Sequence, residues 1–170
     1  MKAIIIVAAC LTTFTVKAQS SITPTDLLSV TGKVKQIKTF TLAALDTFAT
    51  TKIKEQLIYN RKKEAIDTIK NMEGVLVKTI LSQTEFVYSN SQDLNEFYFV
   101  FTASDGYRVV FSWNEIYNTE VGNNFYLITK MNGDKIKDMS QRIMVISTAD
   151  IKNKRRSIKW VKSIEVRQID

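Results

Sequence analysis

The chain has 170 residues, enough for one domain with a real core and too few for two ordinary ones. A hydrophobic fraction of 45%, with one proline and five glycines, excludes a linker-rich or low-complexity chain. There is no histidine and a single cysteine, Cys10, so disulfides, a cysteine nucleophile, an imidazole base and the usual zinc sites are excluded from the folded part. Carboxylate, Lys, Tyr, Ser/Thr or a bound cofactor are left to carry any chemistry.

Residues 1–20, MKAIIIVAACLTTFTVKAQS, have Lys2, a mainly apolar run and a small Ala18, which together read as a secretory signal peptide spanning 1–18 and cut before Gln19. Val7-Ala8-Ala9-Cys10 also resembles a lipobox, which would anchor the chain through a lipidated Cys10; the apolar run continues past Cys10, which favours cleavage after Ala18. The run is too short for a membrane span, so no transmembrane segment is expected after signal removal, and the destination is periplasmic or secreted. Without Lys2 and Lys17 the chain carries 22 basic and 17 acidic residues, net +5. The excess gathers at Arg61-Lys62-Lys63 and at Lys152, Lys154, Arg155, Arg156, Lys159 and Lys162. Such knots are either solvated loop charge or a surface for phosphate-bearing and other anionic partners, and export argues against nucleic acid.

The segment 19–29 precedes the first strand, with Thr23-Pro24 placed as the cap and first position of a short turn or helix. Residues 30–40 (VTGKVKQIKTF) read as one strand running into a short helix capped by Thr41. Residues 51–59 (TKIKEQLIY) read as a half-exposed strand in which Glu55 breaks the apolar phase. A strand over 65–69, a turn at Glu73-Gly74 and an apolar stretch over 75–81 follow; periodicity leaves that stretch open between strand and helix. Polar SNSQDLN is a surface loop by composition, and 96–103 (EFYFVFTA) is a central strand, apolar on both faces.

Asp105-Gly106 predicts a two-residue hairpin loop, pairing Ala103 with Arg108, Phe101 with Val110 and Val100 with Phe111. Ser112-Trp113-Asn114-Glu115 has capping-box spacing and predicts a helix over 113–119. Strands over 125–131, 142–147 and 158–166 complete the chain, with a turn at Asn132-Gly133. In the last strand Ile158, Trp160, Lys162, Ile164 and Val166 would share a face, Lys162 at its rim with its ammonium in water. The strand-to-cap-to-helix step occurs twice, too few copies for a repeat architecture.

In this order the pieces resemble the oxidoreductase molybdopterin-binding domain family, the sulfite-oxidase-like fold, in its short exported members. The resemblance rests on Val30-Thr31-Gly32-Lys33-Val34 leading to Phe40-Thr41-Leu42-Ala43-Ala44-Leu45, Gly74-Val75-Leu76-Val77 with Ile80-Leu81, Thr102-Ala103-Ser104-Asp105-Gly106-Tyr107 followed by Phe111-Ser112, Asn132-Gly133, and Arg156 through Ile164-Glu165-Val166. It implies an α+β fold of mixed twisted β-sheets with short capped helices over a domain of residues 30–170. It also implies a molybdopterin cofactor whose metal is held by a cysteine thiolate, with Asn and Arg just beyond. Here Leu57 stands at the thiolate position and Asn60-Arg61 follow in register. A Gly-Pro of the family is replaced by Met139-Ser140, and the proline after Gly74-Val75 is Leu76.

The resemblance makes Asn60, Arg61, Ser104, Asp105, Tyr107 and Arg108 the cofactor-binding set, while physics favours reading 104–107 as a hairpin turn with a polar cap, since Asp and Gly are what such a turn requires in any protein. Without the thiolate, no catalytic residue and no metal ligand is assigned. The expected function is therefore a non-catalytic exported domain that binds a small anionic ligand or a protein partner in the remnant cleft. The alternative is a molybdopterin-dependent oxidoreductase with a non-cysteine metal environment.

Overall fold

The computed structural model describes residues 23–59, 62, 64–151 and 155–169. Among these the chain is mixed α+β, with several sheets and few, short helices. The first sheet has the order β2-β1-β12-β7-β8: Lys38–Thr41, Leu27–Gly32, Val161–Gln168, Phe97–Ala103 and Arg108–Ser112. β1 runs parallel to β12, and the other pairings of this sheet are antiparallel. The second has the order β10-β9-β6-β3, from Asp134–Lys135, Phe125–Met131, Met72–Leu76 and Thr51–Ile53, with β11 (Met144–Ser147) also paired to β9. β4 (Gln56–Tyr59) and β5 (Ala65–Ile69) form a separate two-stranded ribbon.

The main core lies between the two larger sheets. Leu28, Val30, Phe40, Phe97, Phe99, Phe101, Val109 and Phe111 come from the first, and Val75, Phe125, Leu127 and Val145 from the second. Phe111 stacks on Phe125 at 4.2 Å and Phe101 meets both rings edge-on. The alternate residues of β9, Tyr126 and Ile128, face a second cluster with Ile53, Met72, Met139, Met144 and Ile146. That two-sided burial is why Phe125-Tyr126-Leu127-Ile128 is continuously apolar. The helices α1 (Leu42–Asp46), α2 (Val77–Leu81), α3 (Trp113–Tyr117) and α4 (Glu120–Asn123) are one turn or little more, too short to persist without caps and packing.

Several expectations are corrected. Residues 23–26 form no helix; Thr25 Oγ1 instead donates to the Val161 carbonyl at 2.9 Å, and strand pairing outweighs the local cap signal from Leu27 onward. The 30–40 stretch is two strands, because Gly32 takes a φ of +90° where β1 turns away from β12. A Cβ at Gly32 would come within 2.1 Å of the Val166 carbonyl oxygen, so the close approach requires glycine. The 51–59 stretch divides into β3 and β4 on either side of residues 54 and 55.

Glu73-Gly74 is no turn but the middle of β6, where a bulge and the missing side chain let β6 approach the Leu127 carbonyl on β9. The open choice over 75–81 resolves into both states, β6 ending at Leu76 and α2 starting at Val77. SNSQDLN is organised as a 3-10 helix, Ser91–Glu96, with an Asn90–Asp93 capping box. The last strand starts only at Val161, since Trp160 adopts a φ of +54°. A bulge between Val161 and Ser163 then removes Lys162 from the buried face, leaving it exposed.

Candidate functional site

The β7–β8 hairpin positions the candidate residues. Its register is Thr102 with Arg108, Phe101 with Val109, Val100 with Val110 and Phe99 with Phe111, one residue away from the expected pairing. The loop therefore has three residues. The Gly106 amide donates to the Ala103 carbonyl at 3.1 Å, Gly106 itself lies at φ +86°, and the Ala103 amide donates to the Tyr107 carbonyl at 2.9 Å. This is a turn followed by a left-handed glycine, and it wins because the two-residue loop of Asp-Gly type would force Asp105 into positive φ as well. The observed register also keeps Phe99, Phe101, Val109 and Phe111 together on the core face, whereas a one-residue slip would mix buried with exposed positions.

Within the tip, most polar groups already serve the protein. The Asp105 carboxylate accepts from the Tyr107 amide at 2.9 Å, an Asx turn, and the Tyr107 hydroxyl donates to the Arg155 carbonyl at 2.6 Å. The Ser104 amide donates to the Trp160 carbonyl at 2.9 Å. Ser104 Oγ is different: it is buried and has no hydrogen-bond partner among the described residues. Arg108 is exposed, and its charge helps hold the Glu165 carboxyl below the usual carboxylate range, behind the larger effect of the Arg167 hydrogen bond. Trp160, at positive φ, flanks the tip through its carbonyl. Trp160 Nε1 donates to the Ser140 carbonyl at 2.9 Å, which places the Met139-Ser140 replacement next to it.

Asn60 and Arg61, the other half of the expected set, lie outside the described residues. Leu57 lies in β4 opposite Thr68, 48% exposed, and offers no lone pair to a metal. The donor set at these positions does not fit a molybdenum centre held by a soft ligand. An open groove of about 480 Å³ lies elsewhere, along β3 and β6 between Lys52, Lys54, Glu73 and Lys130. It is shallow, and Lys130 is already paired with Glu73 at 3.1 Å. It therefore has weaker claims as a site than the tip.

Reading residues singly does not disclose one group. Arg156, a member of the second basic knot, is neither solvated charge nor open to an anionic partner but is clamped within the protein. Its Nε and Nη2 donate to the two carboxylate oxygens of Asp150 at 2.8 and 2.5 Å, and its Nη1 donates to Glu115 Oε1 at 2.6 Å. The guanidinium lies 4.3 Å from the centroid of the Phe111 ring, and Ser147 Oγ adds a hydrogen bond to Asp150 at 3.1 Å. The Asp150 hydrogen bonds raise the Arg156 pKa further above its ordinary value. Burial pushes the Glu115 carboxyl up, but the Ser112 amide and Arg156 together outweigh it and hold Glu115 below its usual range. This network fixes the turn whose Arg155 carbonyl receives Tyr107, so it supports the tip from behind.

No family model matches the chain, and no curated protein matches it. Among solved structures, the sulfane dehydrogenase SoxCD from Paracoccus pantotrophus superposes with a TM-score of 0.60 over 82% of this chain, at 14% identity. The superposition takes in 37% of the SoxCD chain, so the protein spans little more than a third of that chain's length. At this identity the likeness is one of fold, and the two chains share a mixed α+β architecture.

Proposed function

We propose that this protein is an exported, non-catalytic domain on the molybdopterin-binding oxidoreductase fold, which holds a small anionic ligand or a protein partner beside the 104–108 tip. The fold shared with a sulfane dehydrogenase supports the resemblance read from the sequence. Export rests on the first 18 residues alone. The observation that carries the non-catalytic reading is Leu57. Where the resemblance expects a thiolate there is an aliphatic side chain, and no other cysteine or histidine lies in the folded part to replace it.

The tip retains the means to hold an anion. Arg108 is exposed, and the Ser104 hydroxyl, without a hydrogen-bond partner among the described residues, is a donor whose burial would be relieved by an acceptor; Arg61, outside the described residues, is the second cation that the resemblance implies. In the test, protein purified from a molybdenum-replete host is analysed for metal, assayed for sulfite oxidation and titrated with inorganic phosphate. Metal well below one per chain, no sulfite turnover, and phosphate binding about tenfold weaker in Arg61→Ala and Arg108→Ala are expected. Stoichiometric molybdenum, or sulfite turnover that depends on it, overturns the reading in favour of the cofactor-dependent oxidoreductase.

A further inference from the structure

The end of the molecule that carries the hairpin tip combines two surface properties. It is apolar at points: Ile151 is fully exposed and Tyr107 nearly half exposed. It is also cationic. Arg155, Lys159 and Lys162 are exposed, and none has an ion-pair partner among the described residues. One side-chain bond and the backbone pairing bring these groups together. Tyr107 Oη reaches the Arg155 carbonyl, the Ser104 amide reaches Trp160 next to Lys159, and Ala103 pairs with Val161 next to Lys162.

The acidic groups nearby offset only part of this charge. The Arg156 clamp on Asp150 and Glu115 leaves one net negative charge, and Asp105 keeps its own while accepting from the Tyr107 amide, against the three cations Arg155, Lys159 and Lys162. The Arg156 clamp on Asp150 fixes the residue just before Ile151, so the isoleucine is presented from an anchored base.

We propose that this end docks on an anionic lipid surface, with Ile151 entering between the headgroups and Arg155, Lys159 and Lys162 resting on lipid phosphates. The charge is complementary to such a surface, and each lysine or arginine near it contributes about a fivefold gain in binding. The isoleucine decides between lipid and other polyanions. A soluble polyanion gives a fully exposed aliphatic side chain no apolar contact, whereas a bilayer accepts it without a preformed pocket. The contact is peripheral, since no helix among the described residues is long and apolar enough to cross a membrane. The proposal does not depend on the ligand reading of the tip.

Sedimentation of the full chain with phosphatidylglycerol-containing vesicles and with pure phosphatidylcholine vesicles tests it, alongside Ile151→Ser and the Lys159→Gln/Lys162→Gln double variant. Binding to anionic vesicles only is expected. It should fall about tenfold in Ile151→Ser with the salt dependence unchanged, and about 25-fold in the double variant with a shallower salt dependence. Equal binding to both vesicle types would assign the affinity to the apolar N-terminal run and overturn the proposal. Binding indifferent to Ile151, or retention on dextran sulfate without vesicle binding, would reassign the patch to soluble polyanions and overturn it too.

Discussion

At Phe40–Thr41 and again at Phe111–Ser112, a strand of the first sheet passes into a five-residue helix through a hydroxyl cap. At the first corner the capping bonds are local. Thr41 Oγ1 accepts from the Ala44 amide at 3.1 Å, and Thr47 Oγ1 closes the helix on the Ala44 carbonyl at 2.7 Å. At the second, Ser112 and Glu115 form a reciprocal box, and the same Glu115 reaches Arg156, which in turn holds Asp150. A cap at the first corner thus stabilises one helix turn, while a cap at the second also fixes the return segment behind the candidate site. One local device does two jobs, and the partner 41 residues away makes the difference.

The sharpest way to break this contrast is Arg156→Met, which keeps the packing over Phe111 and removes the charge. Asp150, with a side chain only 9% exposed, would lose its main partner, and Glu115 would lose its second. Leaving a largely buried carboxylate unpaired should cost about 3 kcal/mol, or about 9 °C in melting temperature for a domain of this size. A denaturant melt of the variant reads this directly. A loss below about 0.5 kcal/mol, the level of an ordinary surface change, would mean that the second corner is as local as the first.

A milder probe is acid. The folded-state pKa of Glu115 lies below its ordinary value of 4.5, so the unfolded chain binds the proton first as pH falls. The contribution of this carboxylate is complete above pH 4.5 and is lost as pH drops through the folded value. Glu115→Gln should therefore flatten the acid limb of a stability-against-pH curve relative to wild type, with little change in its shape above pH 6. An acid limb as steep in the variant as in wild type would assign the acid sensitivity to other carboxylates.

These two corners also show what a sequence discloses. Both caps are legible, because a hydroxyl followed three positions later by a helical residue is a short-range pattern, and β9 is legible to the residue from its apolar run and the Asn132-Gly133 turn. The existence of the β7–β8 hairpin is legible too. Its register is not, because Asp-Gly suits a two-residue loop and a three-residue one alike, and the choice is made by which faces the core buries.

Gly74 suggests a turn for a related reason: in a string of letters, a glycine needed for close approach to a neighbouring strand looks the same as one needed for positive φ. The Arg156 clamp was beyond reach altogether. Six cations crowd residues 152–162, and nothing in their order marks the one that will meet Asp150 and Glu115. Around the expected residues 104–108 the hairpin is legible but its internal bonding is not, and that bonding engages Asp105 and Tyr107 and leaves Ser104 Oγ and Arg108.

The smallest effect is expected where the comparison is purest, in the two cap deletions. Thr41→Ala removes one hydrogen bond at the exposed end of α1, and water can satisfy the Ala44 amide, so the loss should be about 0.5 kcal/mol. Ser112→Ala removes the equivalent bond to Glu115, but it also removes the hydroxyl that helps orient the carboxylate toward Arg156, and should cost about 1.5 kcal/mol. Combining each with Arg156→Met separates the two situations. Thr41→Ala should add to Arg156→Met, because the sites share no partner. Ser112→Ala should cost less in the Arg156→Met background than in wild type, since part of its role is to serve an ion pair already gone. Additivity within about 0.3 kcal/mol at both corners would show that Ser112 acts as a cap alone and that only Glu115 links the helix to the return segment.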